Sequence, residues 1–186
     1  MTEKELCDGC KAGEREAFRQ LYYSYAPFLI HLIQRYVGDM DTAKDLLHDS
    51  FLAIYDKIRQ FEYRGEGSLK AWLSRLCLNN SLMWLRQKQR ITFLSLDEAR
   101  DSDDVDTLDA PGEEAIEGIS EETLHQFIQE LPDGYRMVFN LYVFEEKSHK
   151  EIGQLLGINE KSSSSQLTRA KKMLATKITD WQRKNA

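Results

Sequence analysis

The chain has 186 residues, 41% hydrophobic and 30% charged, an ordinary globular balance that leaves room for one domain or two small ones. No apolar run reaches the length of a membrane span, and the N-terminal MTEKELCDGCKAGERE has no apolar signal core, so no membrane insertion and a cytoplasmic location are expected. The formal charge of −6 hides an asymmetry: residues 1–90 hold fourteen Lys/Arg against twelve Asp/Glu (+2), residues 91–147 three against sixteen (−13), and residues 148–186 eight against three (+5), so a basic C-terminal segment points to a local polyanion contact.

Cys7 and Cys10 form a CxxC pair near the start. Zinc would need two further ligands and no His lies close in sequence, while a CxxC can also be redox-active. A first helix with Cys10 at an apolar position accounts for both cysteines without either chemistry. From Glu14 to Val37 apolar residues recur at three and four (Phe18, Leu21, Tyr22, Tyr25, Leu29, Leu32, Ile33, Tyr36), which predicts an amphipathic helix, bent or broken at Pro27. Gly38-Asp39-Met40-Asp41 reads as a turn with Asp41 as N-cap, and a second helix follows from Thr42 to Gln60. Its apolar stripe is Leu47, Phe51, Ile54, Tyr55 and Ile58; Asp45, His48, Asp49 and Leu52 lie toward the other side, a pattern that a merely solvated face would also give.

Two glycines then break the chain in FEYRGEGS, and Ser68 is placed to cap a third helix running to Gln89. That helix carries Trp72, Arg75, Asn79, Asn80 and Trp84 and ends in Arg86, Lys88 and Arg90. Aromatic residues interleaved with basic and amide groups suit unstacked bases, which need a stacking surface and edge hydrogen bonds. The same residues equally suit a core with a basic helix end that complements the dipole. Residues 91–118 are rich in Asp and Glu, and their composition predicts a linker. Helical spacing resumes near Ser120 with Leu124, Phe127, Ile128 and Leu131, breaks at Pro132-Asp133-Gly134, and returns with Tyr135, Val138, Phe139 and Tyr142. No strand pattern is visible. The expected fold is all-α: two small helical domains joined by an acidic flexible tether.

SHKEIGQLLGINEKSSSSQLTRA closes the pattern. Ser148 with Glu151 fits a capping box, Ile152, Leu155 and Leu156 give a buried stripe, Gly157 suits a left-handed C-cap, and Ile158 would pack back into the core. A second helix from Glu160 completes helix-turn-helix spacing. With Leu167 pointing inward and about 100° per residue, Ser163, Ala170, Lys171, Leu174 and Ile178 fall on the same side, within roughly 60°. Lys161, Ser162, Ser165, Arg169 and Lys172 fall opposite, and Ser164 at the flank. The serine run therefore reads as the front of a DNA-facing helix, with small hydroxyls allowing close approach to a groove; a flexible serine linker is the competing reading.

Enzyme chemistry is not signalled. His31, His48, His125 and His149 are scattered, the acidic residues cluster in the tether, and neither a Gly-rich phosphate loop nor a metal-ligand spacing occurs. No catalytic residue, cofactor, metal or small-molecule substrate is expected.

Three stretches in order resemble one family. DTAKDLLHDSFLAIYDKI, FEYRGEGSLKAWLSRLCLNN and LPDGYRMVFNLYVFEEKSHKEIGQLLGI are similar to the bacterial sigma factors of the extracytoplasmic-function (ECF) group, sigma-70 family. The resemblance covers nearly the whole chain. It implies that residues 1–90 are region 2, residues 91–118 the linker and residues 119–186 region 4. Region 2 would bind core RNA polymerase through Asp45, His48, Asp49, Phe51 and Leu52. Its loop, with Tyr63, Arg64, Gly65, Glu66 and Ser68, would take a flipped base of the −10 element, while Lys70, Trp72, Arg75, Asn79 and Asn80 hold the melted edge. Region 4 would read the −35 major groove with Lys161, Ser162, Ser164, Ser165 and Gln166, with Arg169 and Lys172 on phosphates. The linker would thread the polymerase cleft. Partners implied are core RNA polymerase, promoter DNA and an anti-sigma factor.

The chain also departs from the family. Many relatives carry basic residues in place of Ser164 and Gln166, a β-branched residue in place of Ser163 and an Asp in place of Met83. Fewer basic groups should weaken the phosphate contribution. Two other readings stay open: a sigma-like decoy that binds an anti-sigma factor without reading DNA, and a helix-turn-helix repressor.

Overall fold

The computed structural model describes residues 1–90 and 119–185, and all regular structure among them is helical. The acidic segment 91–118 expected as a tether lies outside the described residues. The helices are α1 (Glu3–Ala12), α2 (Arg15–Val37), α3 (Met40–Lys57), a 3-10 turn (Ile58–Gln60), α4 (Ser68–Arg90), α5 (Glu121–Gln129), α6 (Asp133–Val143), α7 (His149–Leu156) and α8 (Glu160–Asn185). The chain divides into two compact units, Met1–Trp84 and Leu85–Ala186.

In the first unit α1 packs on α2 and on the 3-10 turn, and α2 packs on α3. Leu21, Leu29, Ile33 and Tyr36 of α2, Ile54 of α3, and Leu69 and Leu73 of α4 are fully enclosed. Thr2 and Glu5 form a capping box at the start of α1. Both cysteines of the CxxC pair are buried, so Cys7 as well as Cys10 fills a core position. Burial pushes the Cys7, Cys10 and Cys77 thiols up to about 11.

Three local expectations are corrected. Pro27 does not break α2, which runs through it. The carbonyl deprived of its donor is that of Tyr23, and both residues are exposed, so water can satisfy it. Asp39, not Asp41, caps α3: its Oδ1 accepts from the Thr42 N–H at 2.9 Å, because Gly38 ends α2 immediately before it. Tyr55, expected in the α3 stripe, is 60% exposed.

In the second unit α6 and α7 pack on α8, with α5 against the middle of α8. Ile128 and Leu131 meet Ala170 and Leu174, with Leu124, Phe127, Tyr135 and Phe139 around them. Arg136 is buried and braces the α5–α6 corner by donating to the carbonyls of Gln129 and Leu131, at 2.9 and 2.8 Å, and to the Asp133 carboxylate. A buried guanidinium needs such acceptors for its donors.

Candidate polymerase and nucleic-acid interfaces

On α3, Asp45, His48, Asp49 and Leu52 recur at three and four, and all four are exposed on one face. Leu46, Leu47, Ser50 and Ile54 point into the core beneath them. Phe51 is half-buried, its ring 4.8 Å from Tyr22. Tyr22 meets Tyr23 edge-on, and Tyr55 lies 4.8 Å from Phe18. An aromatic ridge thus runs beside the acidic face, with Tyr22, Tyr23, Leu52 and Tyr55 between 45% and 71% exposed. Tyr22 and Tyr55 escaped the reading from sequence, which placed both in the core. Two consecutive tyrosines on α2 cannot both point inward, and that was the available signal.

The loop before α4 is anchored at Phe61, buried and extended, with the Trp72 ring 5.0 Å away. Tyr63 is half-buried, while Arg64 and Glu66 are exposed, and Arg64 pairs in the open with Glu62 at 3.2 Å. Gly65 and Gly67 take φ of 118° and 85°, and a Cβ on either would meet nothing within 4 Å, so the loop tip borders open space. Ser68 does not cap α4. Its hydroxyl donates to the Gly65 carbonyl at 2.6 Å and accepts from the Arg64 N–H at 3.2 Å, closing the loop on itself. The cap comes from Glu3 of α1, whose carboxylate accepts from the Gly67 and Leu69 N–H groups at 3.0 and 2.9 Å.

Along α4, Lys70, Arg75 and Asn79 are exposed, and Met83 extends the line of Asn79. Trp72 is half-buried, and the Lys70 ammonium sits 4.3 Å from the Phe28 ring centre. Asn80 is turned differently: half-buried, it donates to the Ser50 hydroxyl at 3.2 Å and ties α4 to α3.

The second unit carries the helix-turn-helix. Ser148 and Glu151 form the expected capping box, and the hydrogen bonds from Ser148 hold the Glu151 carboxyl below its ordinary value. Gly157 is left-handed at φ 72°. Gly153 was not singled out from sequence, yet a Cβ there would lie 2.7 Å from the Ile158 carbonyl oxygen, so the turn folds back over α7 too closely for any side chain. Leu155 and Leu156 are only half-buried; Ile152 is the enclosed member of the stripe. Asn159 caps α8, its Oδ1 accepting from the Ser162 N–H at 2.6 Å.

Ser163 is completely buried, and Leu167, Ala170, Leu174 and Ile178 continue the inward stripe. Lys161, Arg169 and Lys172 are exposed as expected. The remaining serines differ from the wheel: Ser164 is exposed, while Ser162 and Ser165 are half-buried. Gln166 is half-buried too, and its Oε1 is enclosed without a hydrogen-bond partner among the described residues. Thr168, exposed beside Arg169, was not foreseen; its hydroxyl donates to the Ser164 carbonyl at 3.2 Å.

Among the described residues no group of three or more His, Cys, Asp or Glu side chains could hold a metal ion, and no helix is long and apolar enough to cross a membrane.

Two family models match the chain: sigma-70 region 2 over residues 21–91 and sigma-70 region 4 over residues 121–174. The chain is 27% identical over 165 residues to RNA polymerase sigma factor YlaC of Bacillus subtilis, covering 89% of this chain and 94% of that one. It is 26% identical over 184 residues to the ECF RNA polymerase sigma-E factor of Haemophilus influenzae, covering 96% of each. A solved structure of the sigma factor RpoE in complex with the anti-sigma factor NepR from Bartonella quintana aligns with a TM-score of 0.48 at 19% identity, covering 88% of this chain and 96% of that one. With both family regions in order and full-length relatives of one kind, the chain belongs to the sigma-70 family of RNA polymerase sigma factors, in its extracytoplasmic-function group.

Proposed function

We propose that this protein directs promoter-specific initiation by core RNA polymerase, with residues 1–90 as the core-binding and −10-melting part, residues 91–118 as a linker and residues 119–186 as the −35-reading part. Core RNA polymerase and promoter DNA are its partners, and an anti-sigma factor is its expected regulator; it works in the cytoplasm and performs no covalent chemistry.

The exposed stripe Asp45, His48, Asp49 and Leu52 docks on the polymerase, with Phe51 supporting the neighbouring aromatic ridge. Acidic groups there favour a basic surface, and the aromatic rings supply apolar area at little entropy cost. The loop Glu62–Ser68 takes the flipped base at its open glycine tip, and Lys70, Trp72, Arg75 and Asn79 guide the single strand, with Asn80 fixing α4 behind them. Unstacking a base costs a few kcal/mol, which pocket contacts offset. Anchoring on polymerase and on the −35 duplex raises the effective concentration of the loop at the −10 element, so the opening cost is shared. On α8, Lys161, Ser164 and Arg169 face the groove and its phosphates, joined by Lys172, while Ser162, Ser165 and Gln166 are closer to the helix-turn-helix core.

The observation that carries this reading is the pairing, within one chain, of an aromatic and arginine-bearing loop with an open tip and a helix-turn-helix with exposed basic residues on its second helix. Run-off transcription tests it: purified protein, core polymerase and a genomic library of the source bacterium should give discrete transcripts that disappear when the protein is omitted. The half-burial of three polar groups on α8 favours, as a second reading, a decoy that binds an anti-sigma factor without reading DNA. Binding to core with no transcript from any template would favour it.

A further inference from the structure

We propose that Glu3 is a positioning residue for −10 recognition: its carboxylate, carried on α1, fixes the base-accepting loop by capping α4 across 64 to 66 residues of sequence. The inference rests on the reading of the loop Glu62–Ser68 as the acceptor of the flipped base.

The first N–H groups of a helix have no partner within it, and they carry the positive end of the helix dipole. Ser68, the residue whose hydroxyl could have served, is spent on the Gly65 carbonyl and the Arg64 N–H. Glu3 fills the gap with both of its oxygens, Oε2 toward Gly67 and Oε1 toward Leu69. The two glycines at φ 118° and 85° would otherwise leave this segment free to sample many conformations. The loop is thus held at two points, one internal through Ser68 and one external through Glu3. The Tyr25 phenol of α2 is raised by burial and then by the Glu3 charge. Tyr63, at the start of the loop, is raised in the same direction by burial and then by Glu3. One carboxylate on α1 therefore holds the start of α4, and its charge is felt by a tyrosine of α2 and by the first tyrosine of the loop.

The carboxylate has a second consequence. A helix N-terminus with free N–H groups binds phosphate. With Glu3 in place the Gly67 and Leu69 N–H groups are taken and a negative charge sits beside them, so a passing strand meets the loop's side chains instead of an anion site that would draw in its backbone.

The test is a selection. Holoenzyme reconstituted with wild-type, Glu3→Ala or Glu3→Gln protein selects promoters from a library randomised at both elements, and base preference is read position by position alongside affinity for core. The expected result is an approximately tenfold loss of preference at the flipped −10 position for Glu3→Ala, the size of a lost cap. Preferences at −35 and core affinity should stay unchanged, with Glu3→Gln, which keeps one acceptor, intermediate. A wild-type profile at −10 in both variants would overturn the proposal. So would a parallel loss at −10, −35 and core, which would make Glu3 a general folding residue. Should Glu3→Ala not fold, the same criteria apply to Glu3→Gln. If wild-type holoenzyme shows no base preference at −10, the reading of the loop itself fails, and that outcome is distinct from the other two.

Discussion

The Nδ1 atom of His149, the first residue of α7, lies 3.0 Å from the Ser163 hydroxyl, a completely buried group on α8. The imidazole also stacks on Tyr142 of α6 at 4.9 Å, so three helices meet at one ring. The polar group is tolerated in the core because His149 satisfies it. Ser163→Ala should therefore destabilise the second unit by about 1 kcal/mol, since it leaves an imidazole nitrogen without its partner. A double-mutant cycle with His149→Ala, read by thermal unfolding, should return a coupling of about 0.5–1.5 kcal/mol. Strictly additive effects would show that the two groups do not act as a pair.

Leu52 is 56% exposed on α3 between acidic neighbours, and Tyr55 is 60% exposed one turn away. Neither contributes much to the core, so Leu52→Asp should change stability by no more than about 0.5 kcal/mol. At the centre of a docking face the same change should weaken core polymerase binding by about 2 kcal/mol, some thirtyfold. Titration of labelled core reads the affinity, and thermal unfolding reads the stability. Equal affinity would place the polymerase elsewhere.

The proposed −35 reading gives Arg169 and Ser164 separate roles on α8, one on phosphates and one at the base edges. Arg169→Ala should weaken duplex binding on every −35 sequence and lower the slope of log affinity against log salt by about one. Ser164→Ala should alter preference at a single −35 position and leave the salt slope alone. Anisotropy titrations over a set of −35 variants at several salt concentrations separate the two, and identical profiles for both variants would contradict the division.

The three thiols are held near 11 against an ordinary 9.0, by burial first in each case. Iodoacetamide at neutral pH should therefore label the folded protein slowly and the urea-unfolded protein fast, as counted by intact mass. Because the folded values are raised, the stability these protonated thiols contribute is complete below pH 9 and is lost as pH climbs toward 11. A Cys7→Ala variant should show a shallower alkaline loss of stability.

Local chemistry made much of this readable in advance. The spacing in α2 and α8, the Ser148–Glu151 box, the left-handed Gly157 and the inward direction of Ser163 all follow from residues within one or two turns of each other. Some misjudged features were local, such as the Asp39 cap, but three depend on distant parts of the chain. Ser68 is a residue type favoured at an N-cap, but Glu3 arrives from a helix more than sixty residues earlier and takes the role. Tyr55 has the spacing of a core residue, yet it meets the Phe18 ring of α2 and stays exposed. Gly153 shows no signal on its own, because its need appears only when the chain turns back at Ile158. For the candidate sites, residue type and spacing picked out the exposed stripe on α3 and the basic residues of α8. The reach of Asn80 toward Ser50 depended on how α3 and α4 pack.

Permanganate footprinting measures strand opening directly. With core polymerase and a promoter found by run-off mapping, unpaired thymines should become reactive across the −10 element only when this protein is present, and a Trp72→Ala, Arg75→Ala variant should lose that reactivity while still binding core. Firm binding to core with every −10 thymine still protected would show that this protein does not open the promoter.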